Sequence, residues 1–230
     1  MQTIQQSDDR RYEAAIFDLD GTLLDTLDDL TASVNAAVEP FPIPPYTREQ
    51  VCSFVGNGIR NLMRRAVPGG EENPGFEQAF QRFKEHYGEH CMDCTKPYPG
   101  ILQMLRELKE MGCRIGIVSN KADFAVKKLQ ASYFQGLVDT AAGEKEGVRR
   151  KPAPDTVFQA LKELGVEKER AVYIGDSDVD IHTAQNAGMD CICVTWGFRE
   201  ESFLRGQGAG LLASSAGELL NLIKSGGKYI

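Results

Sequence analysis

A chain of 230 residues with 42% hydrophobic side chains can bury a sizeable core and still carry an inserted domain. Its net charge of −7, with no Lys/Arg-rich run, argues against a nucleic-acid or anionic-membrane partner. Residues 1–13 are polar, unlike a secretory signal or an anchor, and no segment approaches the ~20 apolar residues of a membrane span, so a cytoplasmic location is expected. In that compartment the six cysteines (Cys52, Cys91, Cys94, Cys113, Cys191 and Cys193) read as reduced thiols rather than a disulfide framework.

Taken in chain order, a first strand over 13–17 runs straight into Asp18-Leu19-Asp20-Gly21-Thr22. Carboxylates at i and i+2 share a side of an extended chain, and Gly21 permits the turn that leaves both facing one small volume. Two like charges so close are costly unless a cation binds between them or one keeps its proton. The spacing therefore points to a divalent metal and to acid/base chemistry.

The next strand is expected only at 114–118. A βαβ crossover needs about 30 residues in all, so 24–98 is too much chain for one connection and is assigned to a domain of its own. Its apolar spacings predict helices over 26–38, 48–54, 59–67 and 76–90, with the proline-rich stretch 40–45 as a loop. Strands and helices then alternate: helix 100–111, strand 114–118, helix 121–131, strand 137–141, helix 154–164, strand 171–175, helix 178–187, strand 190–194 and helix 215–224. This is the pattern of an α/β fold, a Rossmann-like parallel sheet built from 1–23 and 99–230 with an all-helical insertion at 24–98.

Ligands of such sheets bind beyond the carboxyl ends of the strands. The residues found there are Asp18 and Asp20 after the first strand, Ser119-Asn120 after the second, and Asp176 after the strand at 171–175. Lys151, in the loop before the helix at 154–164, is a cation for the same edge. Three acids, a hydroxyl and a lysine suit phosphoryl transfer. An aspartate is ionised without help and can attack phosphorus, Mg²⁺ takes oxygen ligands, and a second acid must protonate the leaving oxygen and then activate water. Asp18 and Asp20 fit those two roles.

Four motifs in this order, Asp18-Leu19-Asp20-Gly21-Thr22, Val118-Ser119-Asn120, Lys151-Pro152 and Gly175-Asp176-Ser177-Asp178-Val179-Asp180, resemble the haloacid dehalogenase superfamily of aspartate-nucleophile phosphatases. The resemblance implies Asp18 as nucleophile, Asp20 as general acid/base, and Ser119 and Lys151 holding the phosphoryl group, with Asn120 a further substrate-binding residue. It also implies Mg²⁺ on Asp18, the Asp20 carbonyl and Asp176, with Asp180 in support. The second acid, Asp20, is absent from dehalogenases, and Thr22 is typical of phosphatases where related hexose-phosphate mutases have valine. Within the insertion, Phe54-Val55-Gly56-Asn57-Gly58-Ile59-Arg60 is similar to the substrate-facing loop of phosphoglycolate phosphatases. Gly56, Asn57 and Arg60 are thereby candidate substrate contacts, and 2-phosphoglycolate is the implied substrate. Expected partners are a small phosphorylated metabolite and, at most, a second copy of the chain.

Other readings remain open. The chemistry also serves a phosphatase of another small ester or pyrophosphate, or a phosphomutase. The motif His86-x3-His90-Cys91-x2-Cys94 could supply zinc ligands, and the protein would then be a binding module, provided the helix breaks near Cys91. Asp178 stands where asparagine is common in the resembling group, and the N-terminal extension and the 40–45 loop are unusual.

Overall fold

The computed structural model of the chain describes residues 12–227 except Asn57, so the N-terminal extension and the Asn57 assignment lie outside the described residues. The first strand, β1 (Ala14–Phe17), is buried at every position, as in a strand covered on both faces. Two residues later than the Asp18–Thr22 turn the chain forms β2 (Leu24–Asp25) and leaves the sheet. The helices α1 (Leu27–Val38), α2 (Arg48–Phe54), α3 (Ile59–Ala66) and α4 (Phe76–His90) follow. The chain returns through β3 (Lys96–Pro97), which pairs antiparallel with β2, Leu24 against Pro97 and Asp25 against Lys96.

The insertion has an apolar centre of its own: Leu30 and Val34 of α1, Val51 of α2, Met63 of α3 and Phe76 and Phe83 of α4 pack into one cluster. Polar ties fix its edges. Thr47 and Gln50 form a reciprocal capping box at the start of α2. Arg48 reaches back to Asp25 and Asp28 at 2.9 and 2.8 Å. The buried carboxylate of Asp29 accepts from the backbone N–H groups of Cys94 and Thr95 at 2.8 and 2.9 Å, which pins the returning chain to α1.

Beyond β3 the elements alternate: α5 (Ile101–Glu110), β4 (Arg114–Ala122), α6 (Asp123–Tyr133), β5 (Thr140–Glu144), α7 (Asp155–Leu164), β6 (Ala171–Gly175), α8 (Asp178–Ala187), β7 (Asp190–Val194), α9 (Glu201–Gly206), β8 (Leu211–Ala213) and α10 (Ala216–Lys224). Six strands form one sheet in the order β5-β4-β1-β6-β7-β8, every pairing parallel. Successive side chains of a strand point to opposite faces. Phe17, Ile117 and Ile174 accordingly join one cluster with α5 and α10, while Ile16, Val118 and Tyr173 join another with α7. The chain builds outward from β1 through β4 to β5, then crosses to β6 on the other side. The carboxyl end of β1 is therefore the topological switch point, where a crevice opens.

The expected α/β architecture is what the structure has, with local differences. The strand predicted at 137–141 forms three residues later, as β5. Leu137 and Val138 are apolar because they seal the turn after α6, where both backbone N–H groups bond to the Phe134 carbonyl. β4 continues past Val118 to Ala122 with a register shift against β5, carrying Ser119, Asn120 and Lys121 beyond the sheet's regular part. β2, β3, α9 and β8 escaped the sequence reading because elements of two to six residues hold too little periodicity to detect. Among the described residues no helix is long and apolar enough to cross a membrane.

Candidate active site

Asp18 stands directly after β1 and is held by its own N–H, which donates to the Ile174 carbonyl at 2.8 Å. Gly21 then turns the chain at φ +85°, a value L side chains rarely adopt, and a Cβ there would lie 2.4 Å from Asp176 Oδ2. The turn thus lets two acidic loops approach each other. Asp176, at the end of β6, is 1% exposed. Its Oδ1 accepts from the Thr22 hydroxyl at 3.1 Å and its Oδ2 from the Phe198 N–H at 2.7 Å.

Lys151 enters from the β5–α7 loop with its side chain buried. Its ammonium lies 2.9 Å from Asp18 Oδ1 and 2.8 Å from Asp180 Oδ1, and it donates to the Tyr173 hydroxyl at 3.0 Å. Asn120 holds this lysine in place through the backbone: its Nδ2 donates to the Lys151 carbonyl at 3.0 Å and its Oδ1 accepts from the Lys151 N–H at 2.8 Å. Asp180 is fully committed. Oδ1 also accepts from Tyr173, and Oδ2 accepts from the Ser177 N–H and hydroxyl at 3.1 and 2.6 Å, forming the capping box of α8. Ser119 is buried and accepts from the Lys121 N–H at 3.2 Å.

The electrostatics of this floor follow from burial. Desolvation pushes the Asp18 carboxyl up to about 7, so burial removes the unaided ionisation expected from the sequence; Lys151 opposes the rise, and Asp180 and Asp20 add to it. Asp176 is pushed well above the carboxylate range by burial, then by Asp180 and Asp18. Burial alone would lower Lys151, but the neighbouring carboxylates Asp18 and Asp180 outweigh it and hold the ammonium charged.

Oxygens of Asp18, Asp176 and Asp180 lie within 4.8 Å of one another. Asp18 Oδ1 is buried and accepts no aligned hydrogen bond, having only the Lys151 ion pair. Because Asp180 is saturated by Lys151, Tyr173 and Ser177, the acids open to a cation are Asp18 and Asp176. An all-oxygen donor set whose members repel one another fits a hard divalent ion such as Mg²⁺.

Above the acids, the insertion supplies an apolar roof of Leu30, Val55, Ile59 and Leu62, with Gly56 and Gly58 at its rim. Asp18, Asp20, Ser119, Asn120, Lys151, Asp176 and Gly56 all line this one pocket. Arg60 does not. It lies on the outer face of α3, half-exposed, paired with Glu71 at 2.9 Å and Glu77 at 2.5 Å and stacked over the rings of Phe76 and Phe80. Successive helical residues turn about 100° apart, so with Ile59 facing the pocket Arg60 turns away toward those carboxylates.

The pocket's further cations come from the core and were missed in the sequence. Lys121 pairs with Asp20 at 2.8 Å, and as residue i+2 from Ser119 on a strand it was findable by alternation. Burial alone would lower Lys121, but Asp20 and Tyr87 raise it. Arg199, in the loop after β7, donates to the Val55 carbonyl at 2.6 Å and so ties the core to the end of α2. Its signal was its place at a strand's carboxyl end.

The His/Cys motif of α4 does not converge. His86 Nδ1 is 2.9 Å from Ser33 Oγ and His90 Nδ1 is 2.7 Å from Asp93, while Cys91 is buried and Cys94 exposed. Among the described residues, the Asp18–Asp176–Asp180 group is the one with metal-holding geometry.

A parallel sheet with its acids gathered at the switch point, roofed by a helical insertion, is an α/β fold with a carboxylate-lined pocket. The family of haloacid dehalogenase-like hydrolases matches residues 15–194, and the chain belongs to it. It is 35% identical over 194 residues to Phosphoglycolate phosphatase 1 of Pseudomonas aeruginosa, covering 80% of this chain and 69% of that protein. It is 31% identical to the N-acetylmuramic acid 6-phosphate phosphatase of the same organism, covering 82% and 84%. A solved structure from Lactobacillus delbrueckii subsp. bulgaricus, described provisionally as a phosphoglycolate phosphatase, superimposes with a TM-score of 0.89 at 39% identity, covering 93% of this chain and 98% of that one.

Proposed function

We propose that this protein is a cytoplasmic, Mg²⁺-dependent phosphomonoesterase that works through an aspartyl phosphate on Asp18 and hydrolyses 2-phosphoglycolate to glycolate and phosphate. The observation that carries the reading is the division of the two aspartates: Asp18 is paired with Lys151, and Asp20 is paired separately with Lys121. One carboxylate is aimed and buried for attack; the other is held apart for proton transfer.

In this scheme a carboxylate oxygen of Asp18 attacks phosphorus as the ester P–O bond breaks, and Asp20 gives its proton to the departing alkoxide. Asp20 then takes a proton from a water that attacks the acyl phosphate, which releases phosphate and restores Asp18. Ser119 and Lys151 hold the phosphoryl oxygens, with Asn120 fixing Lys151. Asp18, Asp176 and the Asp20 carbonyl would hold Mg²⁺, which supplies positive charge against the carboxylates and the phosphoryl group when bound. The segment 24–98 is the cap on a core of 1–23 and 99–230, and its Val55–Gly56 rim closes over the substrate and excludes water. Arg60 has no part in the scheme, because its partners keep it outside.

The substrate rests on the names of the similar proteins. A phosphatase of a phosphorylated sugar acid is similar at nearly the same identity, so that class is the competing reading. The test is Mg²⁺-dependent phosphate release across small phosphomonoesters, including 2-phosphoglycolate and N-acetylmuramic acid 6-phosphate, with Asp18→Asn as control. The highest kcat/KM on 2-phosphoglycolate, abolished in the variant, is expected. A preference for another ester would replace the substrate and keep the chemistry; phosphate release by Asp18→Asn at the wild-type rate would remove Asp18 as nucleophile.

A further inference from the structure

The scheme above uses Lys121 only as the charge paired with Asp20, yet its surroundings reach further. The side chain is 3% exposed, and its ammonium has partners from two separate parts of the fold. One is Asp20 Oδ1, 2.8 Å away at the switch point of the sheet. The other is the hydroxyl of Tyr87, in a short contact from α4 of the insertion, with the ammonium 4.6 Å from the tyrosine ring centre. Tyr87 is held on its own side by stacking on Phe83, with ring centres 5.4 Å apart. The backbone at Lys121 is equally constrained: β5 approaches so closely that a Cβ on Gly143 would lie 2.5 Å from the Lys121 carbonyl.

Asp20 needs an orienting partner. Lys151 cannot serve, because Asp18, Asp180 and Tyr173 already engage it. A buried ammonium is stable only when paired, so Lys121 and Asp20 fix each other, and Tyr87 completes the set from the insertion.

We propose that Lys121 is a positioning residue for Asp20 whose hold is completed from the insertion by Tyr87, so that the proton-transferring carboxyl takes its working position only when the insertion is closed on the sheet. This rests on the phosphomonoesterase reading. Lifting α4 removes the tyrosine, admits water to the ammonium and frees the Asp20 carboxylate to rotate. The protein then avoids a fully assembled acid/base while the pocket is open to solvent.

The experiment compares an ester that needs a protonated leaving group with one that does not: 2-phosphoglycolate (or glycerol 3-phosphate, if that is the better alkyl substrate) and p-nitrophenyl phosphate. The quantity read is kcat/KM, which reports steps only as far as leaving-group departure. Removing the hydrogen-bond partners that orient metal-ligating side chains typically lowers activity about 10–100-fold, and that range is the guide for an oriented acid. Lys121→Met is expected to lose about 30-fold on the alkyl ester and less than about 3-fold on the aryl ester. Tyr87→Phe should show the same selectivity at about 5-fold. Lys121→Arg, which keeps the charge, should recover part of the alkyl-ester activity, and inhibition by inorganic phosphate should be unchanged throughout.

Equal losses on both esters, or weakened phosphate inhibition, would overturn the proposal and make Lys121 a phosphate ligand or a support of the fold. A selective loss in Lys121→Met with wild-type behaviour in Tyr87→Phe would overturn the link to the insertion. Wild-type protein releasing phosphate from neither ester would overturn the phosphomonoesterase reading and the proposal with it, whereas active wild type with unselective variants overturns the proposal alone.

Discussion

Asp18 and Asp176 sit in surroundings that resist their charge. Both are buried, both are pushed upward by desolvation, and each repels the other. For Asp18 the sign of the linkage is definite. Its carboxyl binds a proton more tightly in the folded protein, at about 7, than its ordinary value of 3.8 allows in the unfolded chain. The stability it contributes is full below 3.8 and is lost as pH rises through 7. Metal-free protein should therefore lose stability between pH 4 and 7, and Asp18→Asn should flatten that slope and stabilise the metal-free protein at pH 8 by about 2 kcal/mol. Thermal melts across pH in EDTA check this; an unchanged slope in the variant would contradict it. Mg²⁺ at about 100 times its dissociation constant should in turn stabilise the wild type by ~2.7 kcal/mol. Asp176→Asn should reduce that gain, since it removes one of the two acids left open to the ion.

At the scale of the elements, short turns decide where the chemistry stands. Gly21 combines a φ of +85° with an approach to Asp176 that leaves no room for a side chain. Gly21→Ala should cost about 2–3 kcal/mol through backbone strain and displacement of Asp176, and chemical denaturation measures it. Thr47 makes a useful contrast. Its capping box sits at the far end of α2 from the pocket, so Thr47→Ala should lower stability by about 1 kcal/mol and leave kcat unchanged. The Asp180 capping box serves two ends at once, starting α8 and holding Lys151. The sequence alone read Asp180 as support for the metal site and as an acid favouring the start of its helix, whereas its lysine partner 29 residues upstream leaves no local pattern.

For the whole molecule, the separation of apolar clusters is the governing fact. The insertion has its own core, and the sheet has others on its two faces. Between them lie a two-residue ribbon, the partly buried side chains of Met92, which packs against both clusters, and Phe198, and polar ties such as Lys121 to Tyr87, Arg199 to Val55, and the Cys52 thiol to the Phe198 carbonyl. Interfaces of that kind open more readily than cores. Hydrogen exchange should therefore show α3 and the end of α2 opening far more often than β1 and β6. Adding Mg²⁺ and inorganic phosphate should slow exchange in the former and leave the latter unchanged. Uniform protection across both regions would argue against a mobile insertion.

Much of this architecture was legible because its signals are local. Apolar runs bounded by glycine, helical periodicity and acids at strand ends come from nearest-neighbour geometry, so the parallel sheet, the helical insertion and the cluster of Asp18, Asp20, Ser119, Lys151 and Asp176 could be read from order and spacing. What only the tertiary structure decided is how long-range partners divide the charges. Which lysine pairs with which aspartate depends on segments more than a hundred residues apart meeting at the switch point, as Lys121 on β4 and Asp20 do. That Asn120 grips the Lys151 backbone rather than standing free, and that Arg60 turns outward to Glu71 and Glu77 while Arg199 enters the pocket, follow from the same cause. A charged side chain is long and settles on whichever opposite charge folding brings within reach, and spacing along the chain carries no record of that choice.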